Sequence, residues 1–479
     1  MGGSRSRKRK ATGHQAPGSD ADGEGAGDDR ISDLPDAVLG DIVSLLPTEE
    51  GARTQLLASR WRHIWRTAPL NLDYDSFSRD DEGPDAAVSR VLAAHQGPGR
   101  CFSAPASVIG DRADAWLQSP ALNNLQEIAL HSLDRRSRTA RPPATVQPPP
   151  SAAFRFSDTL LVFTLGDCHL TDDITRAQAL HFPKLQKLAL QRVSISEPSM
   201  HTMIAACPAL ECLFIKDSGG FRCVRINSIT LTSIAVSGCS DRAEPRFDQL
   251  VIENAPRLES LLTLDSFECS IMTAPKLEAL GYLTCHYGTK ISFGSAPFDS
   301  AVIRQLSVDR LATAACAVKI LAVDMDALSL DAVLDLMGCF PCLEKLYIQS
   351  TGPGSTNSWR RKHRALIGSL DIRLKTIVWR CYRGTKSHVD FATFFVLNAG
   401  VLELMTFEVD VEDFNEEFFA RHHKKLQVDR RASRGARLRF TSDWSYKYHM
   451  DVSVHDDLGP ADPFERTQPL EGDTTFELC

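Results

Sequence analysis

Cys339-Phe340-Pro341-Cys342 places two thiols at the C-x-x-C spacing of a redox or zinc site. No second pair stands beside it, and its proline belongs to a phrase that recurs along the chain, so the spacing reads as structural. His422-His423 runs into Lys424 and Lys425, a group that reads as a solvated basic face rather than a metal site. Arg430, Arg431, Arg434, Arg437 and Arg439 cluster as if for a phosphate, but acidic surroundings favour a plain surface. A Gly-rich phosphate loop, H-E-x-x-H and G-x-S-x-G are all missing from the sequence. No catalytic constellation results. The expectation is a protein that is not an enzyme and uses no cofactor and no metal.

The composition suits a binding protein. The 479 residues suffice for two or three domains, and 43% of them are hydrophobic, enough for a large core. With 54 basic and 61 acidic side chains the net charge is −7, so no nucleic-acid partner is expected. No apolar run reaches the roughly 18 residues of a membrane span, and a membrane partner is not expected either. No secretory signal is read after Met1, and 13 cysteines without a regular framework point to a reducing compartment. Nucleus and/or cytoplasm is the expected location. Residues 1–28 are rich in Gly, Ser and charge and read as a disordered tail. Within them, residues Arg5 to Lys10 fit an import signal or a solvated tail, and Met1-Gly2 with Ser6 fits the loose myristoylation pattern.

Residues 29–75 are the stretch around which the rest is organised. Val38, Leu39, Ile42, Leu45 and Leu46 recur at helical spacing, with Asp33 suited to capping, Pro35 to the first turn and Pro47 to ending the helix. A second helix is expected after Thr48, with Leu56 and Leu57 as its apolar face. Trp61, Ile64 and Trp65 form a third apolar stripe, flanked by Arg60, Arg62 and Arg66. Helices this short cannot bury so much apolar surface among themselves, so one face needs a partner. The motifs Asp29-Arg30-Ile31-Ser32-Asp33-Leu34-Pro35-Asp36 and Trp61-Arg62-His63-Ile64-Trp65 resemble those of the plant F-box, with Ala58 where many relatives carry Ser. That resemblance implies docking on a Skp-type linker protein and, through it, on a cullin. The contacts it implies are Leu34, Pro35, Val38, Leu39, Ile42, Leu45, Leu57 and Trp61.

Beyond this segment one phrase, Pro-x-Leu-x-x-Leu-x-apolar, keeps returning. It starts at Pro183, Pro208, Pro256, Pro275 and Pro341, with weaker copies from Leu125, Leu160, Leu231, Ile303, Leu374 and Leu402. The first leucines Leu160, Leu185, Leu210, Leu231, Leu258 and Leu277 are spaced close to the period of roughly 20–29 residues of a leucine-rich repeat. Val318 to Val323 is a further copy of unclear phase. Cys168, Cys239 and Cys285 fall at the small-residue position of the repeat turn. The fold class is therefore α/β, a small three-helix unit followed by an irregular solenoid with parallel strands on its concave face. Lys187, Ala189, Phe214, Lys345 and Tyr347 are placed on that face, and Phe214 and Tyr347 are the candidate substrate contacts. Arg135 to Pro150 reads as an exposed insertion.

From about residue 359 the character shifts. Asn398-Ala399-Gly400-Val401-Leu402-Glu403-Leu404-Met405-Thr406-Phe407, with Phe391, Phe394 and Phe395 before it, looks like the FBD module that follows the repeats of many plant F-box proteins. A capping helix is expected around Asp413 to Lys425. The organisation read from the sequence is repeats over 120–358, an FBD-like part over 359–448 and a loose acidic tail over 449–479. The resemblance implies a substrate-recognition adaptor of an SCF ubiquitin ligase, in which the repeats hold an unknown substrate protein in the ubiquitin-conjugation pathway. The alternative is a repeat scaffold or inhibitor protein without ubiquitin transfer.

Overall fold

The computed structural model describes residues 31, 33–77, 83–108, 111–131, 147–173, 180–237, 245–263, 267–284, 290–294, 296–299, 317–325, 328–350, 372–442, 462–465 and 475–478. The basic run from Arg5 to Lys10, Gly2, Cys239, Cys285, Ile303 and most of the insertion lie outside the described residues.

Among the described residues a sheet of fifteen strands runs along the chain. It begins with Leu70–Asp73 and Gly99–Pro105 and continues through Glu127–His131, Val162–Gly166, Lys187–Gln191, Cys212–Lys216, Ser233–Val236 and Ser260–Thr263. Ala279–Thr284, Ile320–Met325, Lys345–Ser350, Thr376–Arg380, Leu404–Val409 and Arg437–Ser442 complete the parallel series. Thr475–Leu478 then closes the far edge antiparallel to Arg437–Ser442. A smaller sheet, Cys223–Asn227, Gln249–Asn254, Glu268–Ile271 and Lys290–Phe293 in parallel with Ala296–Asp299 antiparallel at its edge, flanks the middle repeats.

The register explains why one leucine per phrase matters. Leu72, Phe102, Ile128, Phe163, Leu188, Leu213, Ile234, Leu261, Leu280, Leu321, Leu346, Ile377, Met405 and Leu438 pair in an unbroken row across the parallel strands. All are buried in one continuous core. Each such side chain contributes roughly 1.5–3 kcal/mol by leaving water. No repeat can bury its own row, so the strands stabilise one another as neighbours.

Three boundaries differ from the sequence reading. The ladder starts at Leu70, directly after the three-helix segment, not at about 120. Leu70-Asn71-Leu72-Asp73 and the strand Gly99–Pro105 lack the proline-leucine phrase, yet their inward residues join the same row. Val318 to Val323 resolves into a strand, Ile320–Met325, paired between Ala279–Thr284 and Lys345–Ser350. The tail is not loose throughout: residues 462–465 pack on the sheet and Thr475–Leu478 extends it.

The C-terminal repeats are held by an aromatic cluster. Trp379 packs against Tyr382, His388 and Phe391 at ring-centroid distances of 5.1, 5.0 and 5.2 Å. The expected cap is a helix, Glu416–Lys425, started by Asn415, whose side chain accepts from the Phe418 amide. It lies within the last repeat rather than over its end. His422 corrects the solvated-face reading, since it is buried, stacks on Phe418 at 3.9 Å and lies 2.8 Å from the Phe418 carbonyl through Nδ1. Gly384 leaves room for it: with φ +59°, a Cβ there would lie 2.3 Å from His422 Nε2.

His388 is buried in the same cluster, and its Nδ1 accepts the Arg383 amide at 3.2 Å. Burial, aided by the Arg383 charge, lowers its pKa to about 4. His95 and His422 are also pushed down by burial. A histidine held neutral in the fold stabilises it fully above the unfolded value of about 6.5, and that stability is lost as pH falls. The melting temperature should therefore drop progressively below about pH 6.5. His388→Phe should flatten that acid limb in part; an unchanged slope in the variant would contradict the assignment.

Candidate docking surfaces

The N-terminal helices are α1 (Asp36–Ser44), α2 (Thr48–Arg53) and α3 (Ser59–Thr67). Asp33 does not cap α1. Pro35 occupies the N-cap, and Asp36 in the first turn is held by Arg60, whose Nη2 lies 2.7 Å from its carboxylate and also donates to the Leu34 carbonyl at 2.6 Å. Leu39, Val43 and Ile64 form the small interior, with Leu34 and Trp61 half-buried against it. Leu39 is fully buried and therefore holds the helices together instead of meeting a partner.

Around that interior a set of apolar residues points outward. Val38, Ile42 and Leu46 are exposed, and Leu45 and Leu57 reach 77% and 70% exposure. Pro35 is exposed as well. Leu56 at 85% and Ile31 at 58% belong with them, although the sequence reading did not single them out as contacts. Leu56 and Leu57 do not form a helical face. They stand in and after a short 3-10 turn, Thr54–Leu56, which presents both to solvent. Concentrated large apolar side chains at the surface of one small unit mark an interaction site.

This unit is fixed to the solenoid, not tethered to it. Trp65 leaves the small interior and enters the main core, packing on His95 at 4.6 Å. The Thr48 hydroxyl donates to the Asn71 carbonyl at 2.7 Å and accepts the Asp73 amide at 2.9 Å. Asn71 Nδ2 donates to the Ser44 carbonyl at 2.6 Å, and His95 Nε2 lies 2.9 Å from the Ala68 carbonyl. Gly97 is required at the junction, because a Cβ there would sit 2.2 Å from the Ala68 oxygen.

On the concave side of the sheet, Phe214 and Tyr347 correct their placement as open substrate contacts. Phe214 is 0% and Tyr347 3% exposed, both in a second cluster with Ala189, Ala235, Leu262, Tyr282, Ala322 and Phe464. Phe214 is flanked in register by Ala189 and Ala235, whose small side chains leave room for its ring. Tyr282 lies on the same side. It ends the phrase from Pro275, and the register slips between Leu280 and Leu283. That bulge turns Tyr282 to the concave side and seats Leu283 in the core.

The chemistry-bearing residues remain apart or inert. Cys339 ends the helix Leu330–Cys339, and burial pushes its thiol up to about 11, which disfavours the reactive thiolate. Cys168 is buried at the repeat turn with its thiol pushed up to about 12. A row that sequence reasoning missed is Ser103, His131 and Asp75. Ser103 Oγ lies 3.5 Å from His131 Nδ1, and His131 Nε2 is 2.9 Å from Asp75. The first distance is at the limit of a hydrogen bond, and the Ser103 hydroxyl also donates to Asp73. A hydroxyl directed at a carboxylate in this way is not the activated nucleophile of a triad. Among the described residues no helix is long and apolar enough to cross a membrane.

Comparison with known proteins agrees with this architecture. A family model described as FBD-associated F-box protein At5g56370, LRR repeats, matches residues 113–348, and an FBD model matches 364–407. The F-box/LRR-repeat protein At3g26922 of Arabidopsis thaliana is 26% identical over 272 residues, 53% of this chain and 82% of the relative. The F-box/FBD/LRR-repeat protein At2g04230 of the same plant is 31% identical over 202 residues, which span 39% of this chain and 42% of the relative. A third, the F-box/FBD/LRR-repeat protein At5g56420, is 25% identical over 397 residues, 78% of this chain and 89% of the relative. Exposed apolar helices at one end, a leucine ladder through the middle and an FBD match behind it together support a plant F-box/leucine-rich-repeat protein with an FBD module.

Proposed function

We propose that this chain is the substrate-recognition subunit of an SCF-type ubiquitin ligase, itself without catalytic activity. The observation that supports this reading most is the outward apolar set Val38, Ile42, Leu45 and Leu57 on a unit whose own interior is already filled. In this reading those side chains, with Leu34, Pro35 and Trp61 beside them, dock on a Skp-type linker that binds a cullin. The fused junction at Trp65 then sets the direction in which the solenoid projects. The adaptor makes and breaks no bond. It raises the local concentration of substrate lysines near the ubiquitin-charged enzyme.

The test is isolation of the full chain from plant cells with the proteasome blocked. Co-isolation of linker and cullin supports the adaptor. Recovery of a repeat-bound partner with no cullin would instead indicate a scaffold or inhibitor.

A further inference from the structure

Asp462-Pro463-Phe464-Glu465, far along the chain from the repeats it touches, lies on the concave face. Phe464 sits between two tyrosines, at 5.0 Å from the Tyr282 ring edge-on and 5.4 Å from the Tyr347 ring. Ala322 lies on the strand between those two and pairs with Tyr347 in register, so a small residue separates two large ones and leaves a slot for a ring. The bulge that turns Tyr282 outward is what makes the slot two-sided.

Polar groups hold the backbone and the two acids that flank the ring. Lys345 Nζ lies 2.6 Å from Asp462 and 3.2 Å from Glu465, one ammonium between two carboxylates. The Tyr347 hydroxyl donates to Asp462 at 3.0 Å. Arg380, buried, donates from Nη2 to the Phe464 carbonyl at 2.8 Å and from Nη1 to the Tyr282 hydroxyl at 3.2 Å. The contacts thus read a backbone carbonyl, an aromatic side chain and an acid on each side of it. The segment is a turn, closed by the Glu465 amide on the Asp462 carbonyl at 3.3 Å, and the charge-assisted bond from Arg380 to the Phe464 carbonyl fixes its backbone against the sheet.

We propose that Tyr282, Lys345, Tyr347 and Arg380 form a receptor for an acid–Pro–aromatic–acid turn, which residues 462–465 occupy in cis. A substrate protein bearing a segment of the same chemistry binds by displacing them. This substrate class rests on the adaptor reading above, whereas the receptor itself does not. A segment tethered to its own site competes at a high effective concentration, so the tail sets a threshold that only a well-matched or multivalent substrate passes.

The experiment uses the purified full chain and a fluorescent synthetic peptide of residues 458–469, followed by anisotropy. Wild type should bind the peptide weakly, because its own tail holds the site. Phe464→Ala should bind it at least about tenfold more tightly. Adding Lys345→Glu to that variant should abolish the gain, and Asp462→Lys in place of Phe464→Ala should reproduce it by setting a like charge against Lys345. Melting curves of all four chains establish that each is folded. The proposal is overturned if folded Phe464→Ala and Asp462→Lys chains bind the peptide no better than wild type, or if the gain survives Lys345→Glu. The assay contains neither linker nor cullin, so its failure leaves the adaptor reading standing, and loss of linker binding leaves the receptor standing.

Discussion

A chain carrying Leu45→Asp together with Leu57→Asp should melt as the wild type does and fail to co-purify a Skp-type linker. Both side chains are largely exposed in the free chain, so exchanging them for carboxylates disturbs no packing. In the complex each contributes roughly 1.5–3 kcal/mol by burial, and a carboxylate in its place must be desolvated as well. The pair therefore accounts for a loss of affinity on the order of a hundredfold or more. Leu39→Ala gives the contrast: that side chain is interior, and its removal should lower stability by about 2–5 kcal/mol. Undiminished linker recovery by the folded double variant would remove the exposed set from the docking surface.

Trp379→Ala should be the most damaging single change in the C-terminal part, at about 3–5 kcal/mol. The ring is fully buried, and Tyr382, His388, Phe391 and Phe407 all pack on it. Its strand, Thr376–Arg380, joins Lys345–Ser350 to Leu404–Val409, so a cavity there weakens two inter-repeat contacts at once. Repeat arrays lose stability locally, and hydrogen exchange should accelerate across 376–442 before it does in the N-terminal repeats. A loss below about 1 kcal/mol, or one spread evenly over the array, would show that the cluster does not organise this end. Because Arg380 lies at the end of the same strand, the variant should also loosen the seat of Phe464.

Much of this was legible in the residues. The proline-leucine phrase located the inward rows at Leu188, Leu213, Leu261 and Leu346, since a repeat must present the same side chain at the same register to bury it. The helical spacing of Val38, Leu39, Ile42 and Leu45 located an amphipathic segment but not which members face in. Leu39 turns to Ile64 while its neighbours stay outside, and only the packing of α3 decides that.

The first strands were missed because Leu70-Asn71-Leu72-Asp73 carries too few signals to separate from the end of α3. Phe214 and Tyr347 were correctly placed on the concave side, yet exposure does not follow from side alone. A segment more than a hundred residues away covers Tyr347, as its hydroxyl contact to Asp462 at a separation of 115 residues shows. The phrase from Pro275 ends on Tyr282, and which way that ring faces is decided by a bulge, which shifts the alternation by one residue.

The most direct test of the central claim is titration calorimetry of the purified full chain with a purified Skp-type linker at two temperatures. The account predicts saturable one-to-one binding that becomes more exothermic on warming, because burying Val38, Ile42, Leu45 and Leu57 gives a negative heat-capacity change. Absence of binding by folded chain, or binding whose heat does not change with temperature, would contradict it.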